Sequence, residues 1–366
     1  VEQNANHLLM TDTEVKNLVN SFRIRYAETC EPIQINFREL VSNLNSSERY
    51  THLIHSYPAK LLCHIPYFFL QTDYFCPKTG TVLDPFCGTG TVLLEANISG
   101  RDAKGVDANP LARLISRVKT TYVKTEKLQK TLTTLVQSAK RAKVSEVHDY
   151  SSISRWFSPS TIDQLQRLEL AIEKLKETEV KEFFLLCLSN LVKKVSFADP
   201  CISVPVRLNP DRFAQNPSKR ESLLFKLKTL ENIDVYDKFE GVCSLNINRI
   251  EKLRNIYGGD VKSEIVSSDA RCITKQIGND EKLPDKSIDL ILTSPPYAGA
   301  QKYIRSSWLN LYWLGTKDNE EIRELNKKNI GREDYVKSEI YEIKTGIDSA
   351  DRVLNSLYDE GKYERA

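Results

Sequence analysis

Residues 81–91, Thr-Val-Leu-Asp-Pro-Phe-Cys-Gly-Thr-Gly-Thr, constrain the fold more than any other stretch of the chain. Thr81, Val82 and Leu83 are a short run of strand formers, and Asp84 with Pro85 ends it. Gly88 and Gly90 then make a tight turn, and the run from Thr91 opens a helix. Strand, glycine turn and helix N-terminus make a cradle for a nucleotide-like ligand, because glycine lets the backbone pass close to it. Taken alone, the glycine pair also fits an ordinary strand-to-helix loop. A second strand at residues 103–106 leads into Asp107. That carboxylate falls about 20 residues after the turn, where a ribose diol is gripped in a doubly wound sheet. Leu93 stands where a dinucleotide fingerprint carries its third glycine, which argues against NAD.

Residues 293–297, Thr-Ser-Pro-Pro-Tyr, close an apolar strand at 288–292. Two successive prolines cannot continue a central strand, so the chain leaves the sheet there in a rigid turn. The fixed proline directs its carbonyl at a ligand, and Tyr297 offers a flat stacking face. Together, Asp84-Pro-Phe-Cys-Gly-Thr-Gly and Ser294-Pro-Pro-Tyr resemble the S-adenosylmethionine-dependent DNA amino-methyltransferases of restriction-modification systems. Those enzymes methylate an exocyclic base nitrogen, and the serine form is commonest among the cytosine-N4 enzymes, with adenine-N6 the other class.

The resemblance implies an α/β fold: a Rossmann-like class I methyltransferase sheet with a large helical insertion. It implies S-adenosyl-L-methionine as cofactor, double-stranded DNA with a flipped-out target base as substrate, and a cognate restriction endonuclease as partner. The implied cofactor residues are Asp84, Pro85, Phe86, Gly88, Gly90 and Thr91 in the turn, with Asp107, Ala108 and Asn109 beside ribose and adenine. Asp269, followed by Ala270, ends a third strand at 264–266 and is expected to accept the adenine amino hydrogen. Tyr57, Pro58 and Lys60 match a segment that closes over the methionine end of the cofactor, with Lys60 placed to pair with a carboxylate. Ser294, Pro295, Pro296 and Tyr297 are the implied catalytic residues, no metal is required, and Tyr303 and Arg305 are expected to meet the nucleic acid. Trp308, Leu311, Tyr312 and Leu314 read as core.

Two rival readings stand beside this one. The tRNA guanine-N2 methyltransferases share the cradle, but usually show Asp-Pro-Pro-Tyr and a sizeable N-terminal RNA-binding domain; 54 residues precede His55 here. A catalytically silent nucleic-acid-binding subunit is opposed by the intact Ser-Pro-Pro-Tyr.

Composition narrows the setting. A net charge of +3 permits nucleic acid as a partner without pointing to it, so a local patch must supply the affinity. Eight cysteines without a Cys-x-x-Cys pair read as reduced thiols of a cytoplasmic protein, not as a zinc site or disulfide framework. No apolar run approaches a membrane span.

The expected organisation is an N-terminal arm (1–50), a first catalytic part (51–123), a helical insertion (124–260), a second catalytic part (261–315) and a charged helical tail (316–366). In the insertion, amphipathic helices are expected at 128–144, 161–177 and 181–195, and their length exceeds a normal crossover. Lys140, Arg141, Lys143, Lys193, Lys194, Arg207 and Arg212 there are solvated charges or phosphate contacts. Asp199-Pro-Cys201 contains the Pro-Cys pair of carbon-5 cytosine methyltransferases, but no Gln follows and the position is wrong for a nucleophile. After Leu314 no strand is evident, and Ile340, Ile343 and Ile347 fit a helical face. The strand at 288–292 is therefore expected to lie at an open edge, with the sheet completed by a continuing C-terminal segment or a second chain.

Overall fold

The computed structural model describes residues 10–42, 44, 49–58, 60–144, 150–254, 256, 261–274, 283–297, 302–330 and 344–361. In chain order the helices are α1 (Asp12–Thr29), α2 (Phe37–Leu40), α3 (His64–Leu70), α4 (Thr91–Ile98), α5 (Pro110–Lys119), α6 (Thr125–Arg141) and α7 (Pro159–Glu173). They continue as α8 (Thr178–Val195), α9 (Pro217–Glu231), α10 (Val235–Glu251), α11 (Tyr303–Trp313), α12 (Asn319–Lys327) and α13 (Asp348–Asp359). The strands are β1 (Thr81–Asp84), β2 (Asp102–Val106), β3 (Ser263–Ser267) and β4 (Leu290–Ile291). The chain divides into two compact units: residues 1–135, 174–187 and 240–294, and residues 136–173, 188–239 and 295–366.

The first unit holds the sheet. All neighbouring strands are parallel, in the order β3-β2-β1-β4. Central β1 is apolar because both faces are covered, with Val82 and Leu83 fully buried. One face packs Val82 and Ala103 against Val92, Leu93 and Ala96 of α4 and Leu70 of α3. The other packs Leu83 and Val106 with Val266 and Leu283. Helix α5 starts on Pro110, with the Asn109 side chain accepting from the Leu111 amide, and buries Leu111, Leu114, Ile115 and Val118. Arg101 is buried too; its guanidinium donates to the carbonyls of Leu70, Thr72 and Cys76, tying the segment before β1 to the end of α4.

β4 is shorter than the expected strand at 288–292. The Asp289 carboxylate accepts from the Thr81 amide at 2.8 Å, so a side chain takes a ladder position at the strand's start. It lies at the sheet edge, with Ile291 61% exposed.

In the second unit, aromatic side chains meet edge to face: Trp156 with Trp308 at 5.5 Å and Phe157 with Trp313 at 5.9 Å. Leu311 and Tyr312 are buried, whereas Trp308 and Leu314 are half-buried. The Asn310 amide donates to the Ser189 carbonyl at 2.8 Å, and Lys317 pairs with Glu169 at 2.8 Å. Helix α7 begins at Pro159, where residues 158–160 read as a helix start, and ends at Glu173, short of the expected 177; the Ser158 hydroxyl accepts from the Thr161 amide. Ile347 caps α13, and Ile340 and Ile343 lie outside the described residues. Among the described residues no helix is long and apolar enough to cross a membrane.

Candidate active site

The glycine turn has the geometry that its glycines allow. Gly88 and Gly90 sit at φ +50° and +70°, where a side chain is strained. A Cβ on Gly88 would meet nothing within 4 Å, whereas one on Gly90 would come 2.6 Å from Ser116 Oγ. Gly88 therefore faces open space at the head of α4, and Gly90 is where α5 presses against the turn. The Ser116 hydroxyl donates to the Gly88 carbonyl at 3.0 Å, so α5 also fixes the turn's shape.

Asp107 braces the same turn. Its Oδ2 accepts from the Gly88 amide at 2.9 Å and its Oδ1 from the Asn109 amide at 2.8 Å. Burial raises its pKa, while those two amides and Arg113 pull it back. Arg113 also donates to the carbonyls of Asp107 and Ala108. Asn109 reaches the upstream segment, with its side-chain amide donating to the Tyr57 hydroxyl at 2.9 Å. Tyr57, Asp107, Asn109 and Gly88 thus form one connected rim. Pro58, Pro85 and Phe86 are half-buried and Thr91 is buried in the first turn of α4.

Lys60 departs from its expected pairing. Its ammonium donates to the carbonyls of His55 at 2.5 Å and His52 at 3.3 Å, and neither bond involves a carboxylate. Burial, with Arg249 nearby, lowers its pKa to about 8. Five residues from His55, it folds the Tyr57 loop back on itself. Asp269 also differs from the simple acceptor expected of it. Arg271 takes both its carboxylate oxygens, at 3.0 and 2.6 Å, and lowers its pKa to about 2. Ala270 follows in a 3-10 turn capped by Asp269. An adenine amine would have to share that carboxylate with Arg271.

Sequence reasoning missed Thr293. Its hydroxyl donates to Asp84 Oδ1 at 2.6 Å, and the Phe86 amide donates to the same oxygen at 3.1 Å. Asp84 is almost fully buried, and desolvation pushes its pKa up to about 7 despite these donors. The ends of β1 and β4 are thereby tied together one residue before Ser294. The only signal was position: Thr293 is the last residue before the Ser-Pro-Pro-Tyr motif, and Asp84 is the last of β1. Ser294 is half-buried in this unit. In the second unit Pro295 is exposed, Pro296 half-buried and Tyr297 60% exposed. Tyr303 opens α11 half-buried, with Arg305 exposed two residues on.

Also missed was a buried polar group in the first unit. His52 meets Glu95 at 2.7 Å, Arg49 lies 3.4 Å from the same carboxylate, and the fully buried Lys119 donates to Thr89 Oγ1 at 3.2 Å. Burial lowers the pKa of both His52 and Lys119. It anchors the segment before the cradle to α4 and α5, and nothing in the spacing of these residues announces it.

The sequence is similar to those of known proteins. Over 309 residues the chain is 28% identical to the Type II methyltransferase M.MvaI of Kocuria varians, covering 79% of this chain and 63% of that protein. The chain is a relative of the Type II methyltransferases. It is also 22% identical over 309 residues to the Type II methyltransferase M.BsoBI of Geobacillus stearothermophilus, covering 80% of this chain and 57% of that one. A 100-residue stretch is 31% identical to the Type II methyltransferase M.MjaII of Methanocaldococcus jannaschii. The chain thus spans less than two-thirds of the length of the first two relatives. No protein-family model and no solved structure matches it. Type II methyltransferases use S-adenosylmethionine as methyl donor. The residues present fit such a group: nothing stands within 4 Å of where a Cβ on Gly88 would lie, which leaves the turn's backbone open, and the Asp107 carboxylate is bonded to that same glycine's amide.

Proposed function

We propose that this chain carries the cofactor cradle and amine-activating motif of a site-specific DNA methyltransferase, acting on an exocyclic base amine, cytosine N4. The observation that carries the reading is the Thr293–Asp84 hydrogen bond, which sets the start of Ser294-Pro-Pro-Tyr297 at the end of the strand that feeds the glycine turn. The Type II relatives support DNA as substrate, and the serine form of the motif supports cytosine over adenine.

In this reading Gly88, Gly90, Asp107, Asn109 and Tyr57 hold S-adenosylmethionine, which supplies an electrophilic methyl on a sulfonium. Cytosine's amine is a poor nucleophile because its lone pair is delocalised into the ring. The Ser294 hydroxyl and Pro295 carbonyl accept its hydrogens, favour a pyramidal nitrogen and free that lone pair, which is electrostatic preorganisation. Tyr297 stacks on the base once it has left the duplex. Placing the reactants side by side supplies much of the rate.

The test is incubation with labelled S-adenosylmethionine and either DNA or RNA, followed by nucleoside analysis. N4-methylcytosine in DNA is the expected product. N6-methyladenine would correct the base assignment, and methylated guanosine in tRNA alone would overturn the DNA reading.

A further inference from the structure

Helix α5 ends on Lys119, and a lysine in a helix's last turn ordinarily reaches past the carbonyls into water. Here it turns inward and is fully buried. The Thr51 hydroxyl donates to its carbonyl at 2.6 Å, so the segment before the cradle covers that end of the helix. Among the described residues its amino group makes one hydrogen bond, to Thr89 Oγ1 at 3.2 Å. Thr89 is itself buried and stands between Gly88 and Gly90.

For stability alone this is a poor arrangement. Burial lowers the pKa of the amine and Lys60 lowers it further, while Cys87, Glu95 and Cys63 oppose the shift. One neutral acceptor does not offset the removal of an amino group from water. An apolar side chain of similar length would fill the space at less cost. What the lysine adds is a grip on the turn. Gly88 is held by Asp107 and Ser116, and the Gly90 amide donates to the Cys87 carbonyl at 2.8 Å. Thr89, with a conformationally permissive glycine on each side, is tied through its hydroxyl to Lys119.

We propose that Lys119 is a positioning residue of the cofactor cradle, fixing the Gly88-Thr89-Gly90 backbone for S-adenosylmethionine through the Thr89 hydroxyl. This rests on the reading of the chain as a methyltransferase and adds the residue that sets its glycine turn from the end of α5.

The experiment measures S-adenosylmethionine affinity by calorimetry, and stability by urea unfolding, on the 366-residue chain. Lys119→Met keeps an unbranched stem and removes the donor. It is expected to weaken cofactor binding at least tenfold while the urea midpoint stays level or rises, a split that damage to the fold cannot produce. Thr89→Val, which removes the acceptor, is expected to weaken binding to a similar degree, and Thr89→Ser, which keeps the hydroxyl, to restore it. Because both residues act through one bond, Lys119→Met with Thr89→Val is expected to bind no worse than the weaker single variant. In turnover, the KM for S-adenosylmethionine should rise in Lys119→Met with the KM for DNA unchanged. Wild-type affinity in Lys119→Met or Thr89→Val, losses that add in the double variant, or a Ser variant as weak as Val overturns the positioning role while the methyltransferase reading stands. A Lys119→Met midpoint below that of the wild type assigns the residue to the fold alone and overturns the role as well. Absence of cofactor binding by the wild type overturns both.

Discussion

A single oxygen of Asp84 receives both the Phe86 amide and the Thr293 hydroxyl, yet the carboxyl still titrates near 7 because burial outweighs the donors. In the unfolded chain it returns to about its ordinary value of 3.8. Between those values the folded state holds a proton that the unfolded state has lost, so stability falls as pH rises from about 4 to about 7 and levels off above. The loss is on the order of 4 kcal/mol at most. Asp84→Asn keeps an oxygen for both donors and cannot ionise, so its urea midpoint is expected to stay level where the wild type's declines. Parallel pH dependence of the two proteins would remove Asp84 as the cause. Thr293→Val, by contrast, leaves the Asp84 oxygen short of a donor, a loss of about 1–3 kcal/mol. It is expected to lower kcat for methyl transfer while DNA affinity holds, and Thr293→Ser, which restores the hydroxyl, is expected to recover both stability and rate. A Ser variant as impaired as Val would show that the methyl, not the hydrogen bond, matters.

Elements place these residues, and their legibility differs for physical reasons. The β1–turn–α4 unit was readable because its constraints are local: strand formers, then glycines where φ must be positive, then a helix. Gly90 carries a second constraint that its sequence neighbours do not reveal, namely Ser116 of α5 pressed against it. Gly90→Ala therefore combines a left-handed backbone with a Cβ 2.6 Å from Ser116 Oγ and 3.1 Å from Ser116 Cα. A loss of about 2–4 kcal/mol is expected in denaturant unfolding, against a smaller one for Gly88→Ala, which meets only the backbone strain. Equal losses would mean that the helix contact is soft. Thr293, Arg113, Arg271 and the His52–Glu95 pair were not readable, since each acts through a partner that sequence spacing does not single out. Lys60 was read as a carboxylate partner because charge is visible in a sequence and backbone carbonyls are not.

At the scale of the whole molecule, stability is expected to be unevenly spread, and hydrogen exchange would read it. In the first unit β1 is hydrogen-bonded on both sides and its residues 82–84 are buried, whereas β4 has one partner strand among the described residues and an exposed Ile291. Amides of Val82 and Leu83 should therefore exchange by global opening, and those of Leu290 and Ile291 by a cheaper local one. In the second unit Leu188, Leu191 and Val192 of α8 and Leu309 and Leu311 of α11 are buried, and slow amides are expected there as well. Helix α9, held by one stripe of leucines with Leu230 alone fully buried, should exchange faster than either core. The informative deviation lies at the sheet edge. Were Leu290 and Ile291 as protected as Val82, a further strand would have to cover β4, because a two-residue edge with one partner cannot otherwise resist local opening.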